Sequence, residues 1–414
     1  MSLSMQILQQ NLDHKLFVGE LSLTGDLRPV RGIINIIEAA KANGFREVYI
    51  PSANATQAAL VADDIDIYPV QNLRELWLKL KSLSAISPLK QFVKNNKKDK
   101  HKQFVLDDIR GQQQAKRALV IAVAGRHNIL FQGPPGTGKS MLAKCALSLL
   151  PPMSLPECIE VTKLHSLVQQ TTKAITNRPF RSPHHSASLS AILGGGSHTL
   201  PGEISLAHHG VLFLDEFAEF PRNILESLRQ PLEDHRISIS RANIKTTYPA
   251  NFMLIATTNP CPCGYFQSTD KPCTCTPQQL QAYRKKLSGP LLDRIDITFT
   301  VNRPSESVLF KNTTVGSPEQ DSAKFRIQTA LNNQFNRYHH PAIFNSSLSS
   351  HEAATFIFLT KSAKNLLETA AKSQNFSARA FFKTIKVART IADLESADKV
   401  DESHIAEALA YRIG

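Results

Sequence analysis

The sequence predicts an α/β fold: a parallel five-stranded sheet, followed by a helical region and preceded by a smaller α/β unit. Between residues 104 and 303, short apolar runs alternate with helical segments, as expected for a sheet covered on both faces. After about residue 320, apolar residues recur three and four positions apart, which is typical of helices. The candidate strands of the sheet are HNILFQ, CIEVTK, GVLFLDE, FMLIATTN and DITFTV.

Four segments follow from this pattern: a small α/β unit (1–88), a basic linker (89–103), the sheet-containing core (104–303) and a helical domain (304–414). In the first segment, GELSLTGDLRPVRGIINIIEAAKANGFREVYIPSANATQAAL predicts strand, turn, helix, strand and helix, with the turn at Gly25 and the first helix ending near Gly44. The linker contains KQFVKNNKKDKHK, which is either a solvated connection or an arm that contacts phosphates.

Composition limits the classes of function. The chain of 414 residues has a net charge of +13, which favours a nucleic acid partner but also fits a basic, solvated surface. Its N-terminus lacks the features of a secretory signal, and no apolar run is long enough to cross a membrane. We therefore expect a cytoplasmic protein without a membrane partner, in which six cysteines do not predict a disulfide scaffold.

The stretch GPPGTGKS follows the strand HNILFQ and precedes a helical segment, which is the context of a phosphate-binding loop. Its glycines let backbone amides face a phosphate at a helix N-terminus. Lys139 would reach the β- and γ-phosphates of ATP, and the Ser140 hydroxyl would bind Mg²⁺. The ATP-binding candidates are Gly133, Pro134, Pro135, Gly136, Thr137, Gly138, Lys139 and Ser140.

The stretch GVLFLDEF predicts a buried strand that carries Asp215 and Glu216 to its carboxyl end, where ligands bind in open α/β sheets. Asp215 would belong to the Mg²⁺ shell, and Glu216 would orient or deprotonate the attacking water. An acidic pair after a strand can also cap a helix, but its position after a phosphate-binding loop favours hydrolysis.

Three further residues are candidates for the same site. Asn259 ends the strand in FMLIATTNP, where its neutral amide could position the lytic water. Arg294 in SGPLLDRID and Arg379 in SARAFFKTIK could stabilise charge on a transferred phosphoryl group, from a neighbouring subunit in the case of an arginine finger. The alternative for each arginine is a surface salt bridge.

Two other motifs lie nearby. Cys261, Cys263, Cys273 and Cys275 form a pair of C-x-C motifs that could bind structural Zn²⁺, although reduced thiols or redox-active disulfides would also fit the spacing. The stretch RISISRANIKTTYPANF predicts a hairpin that turns at 242–243. Arg241 and Lys245 near its tip are candidate DNA-phosphate contacts, or a solvated hairpin end.

Together these motifs resemble an AAA+ ATPase of the magnesium-chelatase-like group. The flanking stretches DIRGQQQAKRALVIAVAGRHN, RPFRSPHHSASLSAILGGG and NPCPCG resemble the ComM/YifB family in particular. The resemblance implies an AAA+ core with a helical lid, a hexameric ring that hydrolyses ATP, Asn259 as sensor 1, Arg294 as the finger and Arg379 as sensor 2. It also implies that 171–209 is an insert in which Arg178, Arg181, His184 and His185 could line a pore and contact DNA.

The first segment resembles the C-terminal half of a Lon-protease-like domain. Ile34 stands at the position of the catalytic lysine, and the part that would carry the serine is missing, so we expect no peptidase activity. Compared with its relatives, this domain is expected to be N-terminally shortened.

The function implied by the resemblance is that of a DNA-translocating ATPase, a ComM-like helicase that promotes branch migration of recombination intermediates during natural transformation. A magnesium-chelatase motor subunit is one alternative. An ATP-gated protein-remodelling scaffold without helicase activity is another.

Overall fold

The computed structural model describes residues 12–81, 83, 86–90, 104–168, 172–196, 199–241, 244–267, 271–304 and 317–412. These residues form two compact units. The first unit comprises the described residues of Met1–Asp99, Pro152–Pro179 and Gly195–Pro201, and the second comprises those of Lys100–Pro151, Phe180–Gly194 and Gly202–Gly414. Residues 91–103 of the predicted linker lie outside the described residues.

The strands, in chain order, are β1 (Lys15–Phe17), β2 (Glu20–Leu21), β3 (Leu27–Arg28), β4 (Glu47–Pro51), β5 (Asp66–Val70), β6 (Ile129–Gln132), β7 (Phe180–Arg181), β8 (Gly194–Gly195), β9 (Leu200–Pro201), β10 (Val211–Leu214), β11 (Arg236–Arg241), β12 (Ile244–Pro249), β13 (Met253–Thr258) and β14 (Ile297–Thr300). The α-helices are α1 (Ile33–Ala42), α2 (Ala55–Ala58), α3 (Leu73–Leu80), α4 (Gln113–Gly125), α5 (Lys139–Leu149), α6 (Leu155–Val168), α7 (Leu189–Leu193), α8 (Glu203–Leu206), α9 (Arg222–Ser227), α10 (Arg229–Asp234), α11 (Pro277–Lys286), α12 (Gly289–Leu292), α13 (Pro318–Tyr338), α14 (Ser350–Phe356), α15 (Lys361–Ser373), α16 (Ala378–Leu394) and α17 (Glu402–Ala410).

The first unit has a parallel three-stranded sheet in the order β1-β4-β5. Ile33, Ile34 and Ile37 of α1 are fully buried against this sheet because they recur on one face of the helix. Gly25 has φ +89° in the turn between β2 and β3, and Gly44 has φ +78° just after α1. The predicted strand, turn, helix, strand and helix are present in that order, and the structure adds the short strand β3 between the turn and α1.

The predicted strand at CIEVTK is wrong, because these residues lie in helix α6 of the first unit. The buried side chains of α6 include Cys158, Val161 and Leu164, spaced three apart, which matches the period of a helix and not of a strand. The sequence pattern was ambiguous because a short apolar run alone does not separate the two periods.

The second unit contains a parallel five-stranded sheet in the order β14-β6-β13-β10-β7. Side chains along each central strand alternate between two hydrophobic cores: in β13, Met253 and Ile255 face one core, and Leu254 and Ala256 face the other. The predicted α/β fold with a covered parallel sheet is therefore confirmed, and the edge strand β7 replaces CIEVTK as its fifth strand.

Helices α13 to α17 belong to the second unit and share its larger core. Ile327, Ile391 and Ile405 from these helices are buried in the same cluster as Leu119 of α4. Asp401 is the N-cap of α17, since its carboxylate accepts hydrogen bonds from two backbone amides in the first turn. Within the described ranges, no helix combines the length and hydropathy that a membrane crossing requires.

Candidate active site

The phosphate-binding loop connects β6 to α5 and has a backbone that requires glycine. Gly136 and Gly138 have φ of +77° and +87°, in the left-handed region that other residues rarely adopt. At Gly133 a Cβ atom would lie 2.2 Å from the carbonyl oxygen of Val301. The sequence thus builds a tight loop whose last residue caps the N-terminus of α5.

Lys139 lies inside this loop and is almost completely buried. Its ammonium group donates hydrogen bonds to the carbonyl oxygens of Gly133 at 2.6 Å and Pro134 at 2.7 Å, and lies 3.3 Å from Oδ1 of Asn259. Burial lowers the pKa of Lys139 to about 8, although Asp215 and Glu216 act in the opposite direction. The predicted lysine and sensor asparagine therefore face each other.

Asp215 and Ser140 also meet at this edge of the sheet. The Ser140 hydroxyl donates a hydrogen bond to one oxygen of Asp215 at 3.1 Å, and the hydroxyl of Thr257 donates to the other. A hydroxyl beside a carboxylate provides the hard oxygen ligands that Mg²⁺ prefers, so the residues present fit that ion. Thr257 was missed at the sequence level, although its position two residues before Asn259 at a strand end was a usable signal.

Glu216 is exposed and has φ +52°, in the left-handed region that residues other than glycine rarely adopt. Its backbone N–H donates to the Thr257 hydroxyl at 3.2 Å, which helps to hold this turn. Nδ1 of His185 lies 3.6 Å from the Glu216 carboxylate. A carboxylate in this position can accept a proton from water, and His185 is a neighbour that the sequence did not link to it.

The cysteine loop begins directly after Asn259 and contacts the phosphate-binding loop. At Gly264, which has φ +86°, a Cβ atom would lie 2.8 Å from Cδ of Pro135. The phenolic hydroxyl of Tyr283 lies 3.4 Å from the side-chain hydroxyl of Thr258, at the end of β13. The loop and α11, through Tyr283, are therefore packed against the elements that carry the ATP-site residues.

The four predicted cysteines converge, with all four Sγ atoms within 4.8 Å of one another. The Sγ–Sγ distances are 3.3 Å for Cys261–Cys263, 3.8 Å for Cys261–Cys273 and 3.6 Å for Cys263–Cys273. A tetrahedral site with Zn–S bonds of about 2.3 Å has edges of about 3.8 Å, so this donor set fits Zn²⁺. Hydrogen bonds from the backbone of Tyr265 and Thr274 lower the pKa of Cys263 to about 5.

Arg294 and Arg379 lie together, at a carboxylate that the sequence did not single out. Both guanidinium groups donate to Glu233 of α10, Arg294 to Oε2 and Arg379 to Oε1 at 2.8 Å. The hydrogen bond from Arg294, followed by the charge and hydrogen bond of Arg379, lowers the pKa of Glu233. The hydrogen bonds of Lys139 and Ser140, by contrast, join neither arginine.

The DNA-contact candidates lie in different environments. Arg178, in the first unit, is buried and forms a two-pronged ion pair with Glu157 at 3.0 and 3.1 Å. Arg181, in the second unit, pairs in the same manner with Glu203 at 2.6 Å. Lys245 is exposed on the hairpin β11–β12, whereas the side chain of Arg241 lies outside the described residues.

The comparisons with known proteins agree with this geometry. Family models match three segments: "Magnesium chelatase, subunit ChlI" at 105–309, its C-terminal domain at 319–412 and "Subunit ChlI of Mg-chelatase" at 1–54. Competence protein ComM of Haemophilus influenzae is 43% identical over 400 residues, which cover 96% of this chain and 77% of that protein. This chain belongs to the ComM/YifB family.

The chain is also similar to two further proteins. The YifB protein of Salmonella typhimurium is 40% identical over 412 residues, covering 99% of this chain and 79% of that protein. The probable DNA helicase MCM9 of Arabidopsis thaliana is a distant relative, 26% identical over 180 residues that cover 43% of this chain and 23% of that protein. As a ComM/YifB member, the chain has the magnesium-chelatase-like AAA+ ATPase fold, in which ATP and Mg²⁺ are the expected ligands.

Proposed function

We propose that this chain is an ATP-dependent DNA-translocating ATPase that works as a ring and promotes branch migration in recombination during natural transformation. The observation that supports the hydrolytic part is the convergence of Lys139, Ser140, Asp215 and Asn259 at the carboxyl end of the sheet. The DNA-linked part is supported by the similarity to a competence protein over 96% of the chain, and by the net charge of +13. A cytoplasmic location goes with this proposal.

In the proposed site, the loop 133–140 binds the ATP phosphates, and Ser140 and Asp215 hold Mg²⁺. Glu216 accepts the proton of the attacking water, and Asn259 orients that water. Arg294 acts on the nucleotide of a neighbouring subunit in a homo-oligomer, for which a hexamer is the proposed state. Arg379, the proposed sensor 2, shares Glu233 with Arg294. We therefore propose that both arginines act on the nucleotide of the same neighbouring subunit.

The proposed DNA contact is the hairpin β11–β12. It forms a separate two-stranded sheet, and Lys245 is exposed on it. Since Arg178 and Arg181 are each held by a glutamate, they are weaker candidates for phosphate contacts than the hairpin residues. The four cysteines are proposed to bind a structural Zn²⁺ that stabilises the loop next to Asn259.

A second candidate function is that of a magnesium-chelatase motor subunit, which is favoured by the family models that match along the chain. Unwinding of a labelled branched DNA with ATP separates the two proposals. The wild-type chain should unwind it, whereas Lys139→Ala and Glu216→Gln should lose both unwinding and DNA-stimulated ATP turnover while they remain folded. Absence of unwinding and of DNA stimulation in the wild-type chain would support a motor or a protein-remodelling scaffold instead.

A further inference from the structure

The cysteine loop and α11 together form an exposed basic surface with aromatic rings, here called the knuckle surface. It consists of Tyr265, Phe266, Lys271, Arg284, Lys285 and Lys286. The four cationic residues are exposed, and the two rings are partly exposed. Within the described part of the chain, the acidic group that pairs with a cation of this surface is Glu219, 3.1 Å from Lys286.

The rings and cations of the knuckle surface are in contact. The guanidinium group of Arg284 lies over the ring of Phe266 at 5.0 Å, and the ammonium group of Lys271 lies over the ring of Tyr265 at 5.6 Å. Phe266, Leu280 and Leu287 line a shallow groove together with Arg284 and Lys285. The groove therefore combines apolar and aromatic side chains with exposed cations.

We propose that the knuckle surface binds single-stranded nucleic acid, with bases stacked on Phe266 and Tyr265 and phosphates paired with the cations. Stacking on aromatic rings beside a positively charged groove is the common mode of binding single strands without sequence preference. A duplex fits this surface less well because its bases are already stacked on one another. The inference deepens the proposed DNA-linked function and rests on it.

The knuckle surface is also connected to the ATP site. Tyr283 of α11 contacts Thr258, the residue before Asn259. Lys286 pairs with Glu219, whose backbone N–H donates to the carbonyl oxygen of Glu216 at 2.7 Å. A phosphate that competes for Lys286 would weaken its pair with Glu219, close to the proposed base. Nucleic acid bound here can thus influence ATP turnover.

The test measures the fluorescence anisotropy of a labelled oligothymidylate of about 20 nucleotides with the full chain. For Arg284→Ala/Lys285→Ala, we expect binding about tenfold weaker and a salt dependence shallower by about 1.4, since each phosphate contact on a single strand contributes about 0.7. For Phe266→Leu, we expect about tenfold weaker binding with an unchanged salt dependence, because only stacking is lost. Lys361→Ala/Lys364→Ala, which removes two exposed lysines of α15, is the matched control and should bind like wild type.

Four results would overturn the inference. If both knuckle variants bind like the control while Lys245→Ala binds weakly, the knuckle is not a binding surface and the proposed function stands. If the wild-type chain binds no nucleic acid, both proposals fail. If the knuckle variants weaken binding to polyglutamate as much as binding to oligothymidylate, the knuckle is a general anion surface. If the wild-type chain binds a duplex as tightly as the single strand, base stacking on the rings is excluded. Because Arg284 and Lys285 are exposed on a helix, their removal should leave the thermal unfolding temperature unchanged.

Discussion

Lys139 is a buried ammonium group held by carbonyl oxygens of its own loop and by Asn259, so its surroundings only partly replace water. Asp215 and Glu216 favour its charge, but desolvation dominates and lowers its pKa to about 8. A triphosphate would bring several negative charges to this ammonium group. Nucleotide binding and protonation of Lys139 should therefore be linked.

The first prediction concerns this linkage. Near pH 8.5 the amine is partly neutral without nucleotide, and a bound triphosphate raises its pKa again, so binding should take up a fraction of a proton. The affinity for ATP should consequently fall as the pH rises through about 8. Calorimetric titration in two buffers of different ionisation enthalpy measures the uptake.

The control for this prediction is Lys144→Ala, which removes an exposed lysine of the same helix and should keep the uptake. Lys139→Arg should remove it, because a guanidinium group stays charged throughout this range. Identical binding heats in the two buffers near pH 8.5 would show that Lys139 is already fully protonated in the free protein.

The second prediction concerns Glu233, which accepts hydrogen bonds from both Arg294 and Arg379. Glu233→Gln should lower kcat of the assembled ATPase about tenfold, because the two arginines lose the carboxylate that orients them, while KM for ATP stays nearly constant. The change in stability should remain below about 1 kcal/mol, since the Glu233 side chain that is changed is exposed. Steady-state ATPase assays and thermal unfolding measure the two effects.

Glu368→Gln is the matched control, because Glu368 pairs with Lys364 on an exposed helix face and should affect neither quantity. A Glu233→Gln enzyme with wild-type kcat would show that the shared carboxylate has no positioning role. A higher KM at constant kcat would instead assign Glu233 to nucleotide binding.

At the scale of elements, the cysteine loop is a long connection between β13 and α11 that contains few apolar residues of its own. Cys261 is buried, whereas Cys263, Cys273 and Cys275 are only partly so, which limits how far packing alone can order the loop. A metal bound by all four sulfurs would close the loop directly beside Asn259.

The third prediction follows from this arrangement. The purified chain should contain about one equivalent of zinc, and Cys273→Ser should lose most of it and unfold at a lower temperature. Cys145→Ala, in the core helix α5, should keep the zinc because Cys145 lies outside the cluster. Elemental analysis together with thiol titration measures this, and a wild-type protein with four reactive thiols and no zinc would contradict the proposal.

At the scale of the whole second unit, a buried polar network connects the helical region to the core. Asp393 accepts hydrogen bonds from Arg337, Arg389 and Asn345. Asn345 also donates to Thr390, whose hydroxyl lies 2.8 Å from Nε2 of His127 just before β6. Apart from Arg337, which is partly exposed, these groups are almost fully buried, so each depends on its partners for the hydrogen bonds that water would otherwise supply.

The fourth prediction is that Asp393→Asn destabilises the chain by about 3 kcal/mol, since it leaves the buried guanidinium group of Arg389 and the partly exposed one of Arg337 without a balancing charge. Asp398→Asn, an exposed position close by in the chain, should change stability by less than about 0.5 kcal/mol. Urea unfolding measures both. An equal, small change for the two variants would mean that the network contributes little to the attachment of the helical region.

The sequence by itself determined the sheet, the phosphate-binding loop and the residues that gather around it. Buried strands, glycines with positive φ and the residue types of GPPGTGKS are local requirements, and the carboxyl ends of neighbouring parallel strands must meet. For this reason Lys139, Ser140, Asp215 and Asn259 could be placed together before any contact was known. CIEVTK was misassigned because its apolar pattern is too short to separate helix from strand.

The tertiary structure alone decided which partners each charged side chain meets. Glu233, His185 and Glu203 lie far in sequence from the groups they contact, and no local pattern marks them. Whether an arginine such as Arg178 is free or buried against a glutamate depends on a pairing between distant segments, which only the folded chain brings together. Local chemistry therefore specified the ATP site. Long-range packing specified how Arg294 and Arg379 are held and which cations remain exposed to a partner.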